Sequence, residues 1–227
     1  MAADRAQPVQ PLRAAVFASG NGTNADNIIE TCKMLRGIDT ARRGIDIALI
    51  VTNNPQAGVI ARAARHGIPC AIIPRPQGLP VRAAKTAQER DMLAALAAAK
   101  IDWLFLAGFM QLLGADFLRH FYDPLRGHNR VVNIHPSLLP DFAGKDSYHR
   151  AFDAGGHRHG VTLHYVDDGM DTGPVIAQAS YARAADMDFA AFCAAGQALE
   201  YQLYADFLRA LAQEHADTAG ERQWAQA

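Results

Sequence analysis

Three short segments of the 227-residue chain carry residue types at spacings that can do chemistry. The first is Ser19-Gly20-Asn21-Gly22-Thr23-Asn24. Glycines let backbone amides turn inward, and a helix starting here adds partial positive charge at its N-terminus, so a phosphate is the natural guest. Gly20-x-Gly22-x-x-Ala25 also fits a relaxed dinucleotide fingerprint. That fingerprint expects an acid at the end of the next strand, where this chain has Thr52-Asn53-Asn54, so a monophosphate suits the loop better than NAD. A glycine-rich turn that binds nothing is the plain alternative. If the phosphate reading holds, a Val at Gly22 crowds the ligand and raises its KM.

The second segment is Asn133-Ile134-His135-Pro136-Ser137-Leu138-Leu139-Pro140. In a strand, Asn133 and His135 point the same way and Ile134 the other. At the carboxyl end of a strand, where open α/β sheets place their ligands, an amide beside an imidazole can hold an oxyanion and move a proton. The third segment is Asp167-Asp168-Gly169-Met170-Asp171-Thr172-Gly173-Pro174. Its acids are either solvated turn residues or partners for His135, and spacing alone does not place Asp171 beside that ring. A His/Asp metal site is the competing idea, but His159 and His164 do not form the HxxxH pair of a helical site.

These segments need a scaffold. Short apolar runs at 12–18, 45–52, 67–73, 101–108 and 131–135 read as strands. Between them lie helical patterns: one carrying Ile28, Ile29, Cys32 and Leu35, one over 58–66, an Ala-rich one over 82–99, and a short one over 114–121. Alternation of this kind predicts βαβ units and a mainly parallel sheet in one α/β domain over 12–213. Runs at 159–166 and 174–182 are strand-like and lie antiparallel or continue the sheet. A final amphipathic helix carries Phe189, Phe192, Leu199, Leu203 and Phe207, and 1–11 and 214–227 read as polar, frayed extensions.

Composition narrows the class. Lys plus Arg is 22 and Asp plus Glu 23, a net charge of −1, with 50% hydrophobic and 20% charged residues. This is globular composition without the broad basic face of a nucleic-acid binder. Cys32, Cys70 and Cys193 lie far apart without a CxxC, and each reads as a small buried hydrophobe. No apolar run approaches the ~20 residues of a membrane span, and the N-terminus lacks a signal peptide's apolar region. A cytoplasmic location is expected.

SGNGTN, AGFM, NIHPSLLP and HYVDDGMDTGPVI together resemble the glycinamide ribonucleotide formyltransferases, from about Ala14 to Leu211. The resemblance implies a Rossmann-like open sheet and formyl transfer from 10-formyltetrahydrofolate to the amine of 5'-phosphoribosylglycinamide in purine biosynthesis. It implies Asn133, His135 and Asp171 as the catalytic group, with His164 in support and no metal. Gly20, Asn21, Gly22, Thr23 and Asn24 would hold the phosphate, and Gln197 and Glu200 the ribose side. Folate would lie against Phe109, Met110, Gln111, Leu112 and Leu113 and against Val166, Asp167 and Asp168.

The chain departs from the family at two cation positions. Gln111 stands where an Arg often sits, and Lys85 replaces another Arg, which changes the grip on the folate glutamate tail. Lys145 is a candidate to compensate. Small-molecule partners, no nucleic acid, no membrane, and a monomer or homodimer are expected. Among rivals, formyltetrahydrofolate hydrolase normally carries a further N-terminal domain, and methionyl-tRNA formyltransferase a C-terminal domain and a basic surface. A silent nucleotide or folate binder has no need of Asn133, His135 and Asp171 together.

Overall fold

The computed structural model describes residues 10–38 and 44–224. The apolar runs form β1 (Leu12–Phe17), β2 (Ile45–Thr52), β3 (Cys70–Ile72), β4 (Trp103–Leu106) and β7 (Val131–His135). These five pair in parallel in the order β3-β2-β1-β4-β7. β8 (Arg158–Tyr165) and β9 (Val175–Ala182) complete the seven-stranded sheet as antiparallel strands. They therefore both run antiparallel and continue the sheet. The connection from β8 to β9 is too short for the crossover that a parallel pair requires.

Helices cover both faces. They are α1 (Thr23–Ile38), α2 (Val59–His66), α3 (Val81–Ala98), α4 (Ala115–Leu118), α5 (Ser147–Asp153) and α6 (Phe189–Trp224). On β1, Ala14 and Val16 join a core with Ile28 and Cys32 of α1 and Tyr204 and Leu208 of α6. Ala15 and Phe17 point the other way, into a core with Met92 and Leu96 of α3 and Phe117 of α4. Every residue from Ala14 to Phe17 is fully buried, as expected of a parallel strand sandwiched between helix layers. Strand order reverses between β1 and β4, which opens a crevice beyond their carboxyl ends.

Several elements differ from the sequence expectation. β3 covers only Cys70–Ile72, and the 114–121 helix divides into α4 and a 3-10 turn at Arg119–Phe121. Two-residue strands β5 (Tyr122–Asp123) and β6 (His128–Asn129) form a hairpin too short to leave a periodic signal. α5 is also unforeseen, because its seven residues follow a left-handed Asp146 (φ 55°) and its stripe of Tyr148, Ala151 and Phe152 is a single turn long. α6 runs on through the polar stretch after Gln213 rather than fraying. There Gln213 bonds Asp217 one turn on, Glu214 grips Arg126 with both oxygens, and His215 bonds the Gln10 carbonyl. Residues 1–9 and 225–227 of the expected extensions lie outside the described residues.

Cys32 is buried, and burial pushes its thiol up to about 12. Cys70 and Cys193 are only partly buried, and all three are free thiols. No helix among the described residues is long and apolar enough to cross a membrane.

Candidate active site

A cleft of about 340 Å³ opens at the carboxyl ends of β1, β4 and β7. Its walls come from Asn24 at the start of α1, residues 108–112 after β4, and residues 133–136 at the end of β7. Residues 144–148, Met170, Asp171 and Glu200 close the other side. A second cavity, of about 360 Å³, lies at the opposite end of the strands beside Arg13, Arg36 and Asp46. Both arginines there are paired with the one carboxylate, through the Arg13–Asp46 and Arg36–Asp46 ion pairs.

Register builds the catalytic cluster. β7 and β8 pair antiparallel with Asn133 opposite His164 and His135 opposite Thr162, so Asn133 and His164 share one face as direct cross-strand neighbours. Their side chains meet at 3.1 Å, Asn133 Nδ2 to His164 Nε2. His164 is 2% exposed, and burial holds its pKa below the ordinary histidine value against the pull of the Tyr165 carbonyl and Asp171. Its Nδ1 lies 2.8 Å from the Tyr165 carbonyl, so the neutral ring carries its proton there and Nε2 accepts from Asn133. One amide hydrogen of Asn133 is thus fixed, and the other remains for a ligand.

The chain then returns. β8 leads away from Asn133 and His135, and the loop after Tyr165 brings Asp171 back over the end of β7. Asp171 Oδ2 lies 3.3 Å from His135 Nδ1, and Oδ1 lies 3.7 Å from His164 Nε2. Gly144 N–H donates to the same Oδ2 at 2.8 Å. His135, 5% exposed, has its Nε2 3.1 Å from the Phe142 carbonyl, so both of its ring nitrogens face acceptors. Asp171 itself is left-handed (φ 56°), a conformation that Asp tolerates better than most residues. The three residues of the expected catalytic group are therefore in one cluster with His164.

At the far end of the cleft Glu200, 5% exposed, is held by neutral donors. Tyr148 Oη donates to Oε1 at 2.6 Å, and Asn24 Nδ2 donates to Oε2 at 2.5 Å. Asn24 Oδ1 is buried without a partner. Burial and the adjacent carboxylate push the Tyr148 phenol well above its usual range, so it stays a donor. Gly196, one turn before Glu200, makes room for it, since a Cβ there would sit 2.5 Å from Tyr148 Oη. One turn later Tyr204 donates to the Leu106 carbonyl at 2.6 Å, which pins α6 against the sheet beside the site. Tyr148 escaped the sequence reading because α5 did. Its only signal was Gly196, a glycine inside an Ala-rich helix, which marks a close approach.

The glycine loop sits beside the cleft and reaches it through Asn24. Gly20, Asn21, Gly22 and Thr23 do not line the cavity. Gly22 is left-handed (φ 76°), and a Cβ on it would lie 2.7 Å from Val59 Cγ2. Packing against Val59 of α2 already excludes a side chain at Gly22, so Val there strains the fold as well as any phosphate contact. Gly20 has nothing within 4 Å of such a Cβ. Ser19 ties this loop to the β4 loop: its hydroxyl donates to Asn53 at 2.6 Å and accepts from Met110 N–H at 2.9 Å.

The expected folate residues divide. Phe109, Met110, Gln111 and Leu112 line the cleft, with Met110 62% and Leu112 48% exposed at its mouth. Leu113 instead packs in the core with Phe117. Val166 packs against the same core, and its backbone N–H and carbonyl are taken by Val131 and Asn129. Asp167 closes its own loop, accepting from Thr172 Oγ1 at 2.7 Å and Gly169 N–H at 3.1 Å. Asp168 is exposed outside the cleft, and Gln197 is exposed on α6 away from it. Lys85 pairs with Glu89 at 3.6 Å on α3, while Lys145 is exposed on the cleft wall. Among the described residues no cluster of three or more His, Cys, Asp or Glu could hold a metal ion.

Comparisons with known proteins point to one family. The formyl transferase family model matches residues 12–208. The chain is 41% identical over 165 residues to the phosphoribosylglycinamide formyltransferase of Bacillus subtilis (strain 168), covering 72% of this chain and 76% of that protein. The solved phosphoribosylglycinamide formyltransferase of Bacillus halodurans superposes with a TM-score of 0.76 at 38% identity, over 88% of this chain and 94% of that one. Glycinamide ribonucleotide transformylase 1 of Geobacillus kaustophilus gives a TM-score of 0.74 at 40% identity, over 88% and 98%. With its sheet order, its cleft at the β1/β4 reversal and these relatives in agreement, the chain belongs to the formyl transferase family.

Proposed function

We propose that the chain transfers the formyl group of 10-formyltetrahydrofolate to the amine of 5'-phosphoribosylglycinamide, as a cytoplasmic enzyme of purine biosynthesis acting on small molecules. The observation that carries this reading is one cleft with a proton-moving cluster (Asn133, His135, His164, Asp171) at one end and a held carboxylate, Glu200, at the other. The relatives named above act by name on the same acceptor.

In the proposed reaction the acceptor amine attacks the formyl carbon, and a C–N bond forms as the carbonyl becomes an oxyanion. Asn133 offers its second amide hydrogen to that oxygen, and His135 in its protonated form places positive charge beside it. In this structure His135 donates directly to the oxyanion only after releasing the Phe142 carbonyl. Asp171, directly or through water, takes the proton of the attacking amine and delivers it to the departing folate nitrogen as that C–N bond breaks. Glu200 and the orphan Asn24 Oδ1 receive the hydroxyls of the ribose, and the glycine loop receives the phosphate on its amides. The apolar mouth of Met110, Leu112 and Met170 takes the flat folate rings, and Lys145 meets its carboxylate tail.

The test is product formation from 10-formyltetrahydrofolate with and without the acceptor. Turnover only with the acceptor supports transfer. Formate release without it would identify a hydrolase, and no turnover in either arm would leave a binding protein.

A further inference from the structure

Arg150 lies on α5, outside the cleft, yet it is bound to the catalytic cluster by a short chain of contacts. Its Nη2 donates to the carbonyls of Phe142 and Ala143, each at 2.6 Å, and its Nε donates to the Lys145 carbonyl at 3.0 Å. The guanidinium carbon also stands 6.0 Å from the Phe142 ring centre. Among the described residues Arg150 has no carboxylate partner, so these loop carbonyls take its hydrogen bonds.

The loop it holds is not a relaxed one. Phe142 (φ 54°), Gly144 (φ 85°) and Asp146 (φ 55°) are all left-handed, and for an aromatic residue that region is disfavoured. A backbone in this state persists where its surroundings over-determine it. The same loop makes two contacts to the reacting end of the site. The Phe142 carbonyl faces His135 Nε2, and Gly144 N–H donates to Asp171 Oδ2. The Phe142 oxygen is therefore shared between the Arg150 guanidinium and the His135 imidazole. When His135 turns toward an oxyanion, that oxygen stays paired and the loop has no cause to move.

We propose that Arg150 is a positioning residue for formyl transfer: its guanidinium fork fixes the 142–145 loop, so that Gly144 holds the Asp171 carboxylate and His135 can exchange the Phe142 carbonyl for substrate. This rests on the transfer reading given above. A lysine cannot reproduce it, because an ammonium is a point charge and the carbonyls here are gripped by a planar fork.

Two readouts test it on the full chain, for Arg150→Ala and Arg150→Lys. Steady-state kinetics with both substrates should show kcat lower by about 10- to 100-fold in Arg150→Ala, the order expected for a misplacement near 1 Å. The acceptor KM should stay within about threefold, because Glu200 and Asn24 are untouched. Arg150→Lys should recover only part of the loss, and free guanidinium ion should rescue Arg150→Ala more than it affects the wild type. Amide hydrogen exchange, which needs no turnover, should quicken over 142–147 while peptides from β1 and α6 keep wild-type protection. Unchanged loop exchange, faster exchange with wild-type kcat, or a rise spread evenly over the sheet would each overturn the proposal. A wild type without acceptor-dependent transfer would instead remove the transfer reading and with it the catalytic role, and the exchange result would still show whether the clamp exists.

Discussion

Two carboxylates share one cleft and are held by opposite means. Glu200 accepts from a phenol and an amide, groups that donate without exchanging protons near neutrality. Asp171 accepts from one backbone N–H and otherwise faces two imidazoles, His135 at 3.3 Å and His164 at 3.7 Å. The first arrangement makes a fixed anion suited to hydroxyl donors. The second sets an anion against the His135 imidazole, with the neutral His164 ring behind it, an arrangement that suits proton transfer. One side-chain type thus serves recognition at one end and chemistry at the other, and its neighbours decide which.

Replacing each carboxylate by its amide separates the two roles. Asp171→Asn keeps the shape and tolerates the left-handed backbone, but it cannot accept and deliver a proton, so kcat should fall by roughly 10²- to 10⁴-fold with the acceptor KM little changed. Glu200→Gln should do the reverse. Loss of the charge-assisted contacts should raise the acceptor KM by about tenfold and leave kcat within a few-fold, as steady-state kinetics on purified variants would show. Comparable kcat losses in both variants would erase the distinction between the two ends.

The glycine loop sharpens the same contrast. Gly22→Ala meets Val59 in a left-handed position and should cost about 1–3 kcal/mol, read as a lower melting temperature. Gly20→Ala has open space and should leave the melting temperature in place while raising the acceptor KM. An unchanged KM in Gly20→Ala would mean that the phosphate does not use this loop.

A smaller effect concerns stability and pH. His159 is buried among Tyr148, Tyr181 and Phe192, its Nε2 unpartnered, and burial lowers its pKa from 6.5 to about 4. Between those values the unfolded chain binds a proton that the folded chain refuses, so stability is full above 6.5 and falls as pH drops toward 4. His159→Phe should flatten that part of the melting-temperature profile. A variant that keeps the wild-type slope would assign the acid sensitivity to another group.

Much of the fold is legible because parallel strands buried on both faces must be continuous apolar runs, as 14–17 and 103–106 are. The β5–β6 hairpin and α5 are not legible, since two residues cannot show a period and the Tyr148, Ala151 and Phe152 stripe of α5 spans only one turn after a left-handed residue. Asn133 and His135 are likewise readable as a same-face pair at a strand end. Lys85, Leu113, Val166, Asp167, Asp168 and Gln197 rest on resemblance alone, and the fold directs their side chains to the core, to loop contacts or to the surface away from the cleft.

The sequence by itself determined the α/β alternation, the strand-end pair Asn133 and His135, and the glycine turn beside a helix start. Local periodicity and residue chemistry suffice for each of these. The tertiary structure alone decided that Asp171 returns to His135, that Tyr148 and Asn24 grip Glu200, and that Arg150 reaches the catalytic loop. These contacts join residues on different elements, and the distance between them is set by strand register and helix packing, which no window of sequence encodes.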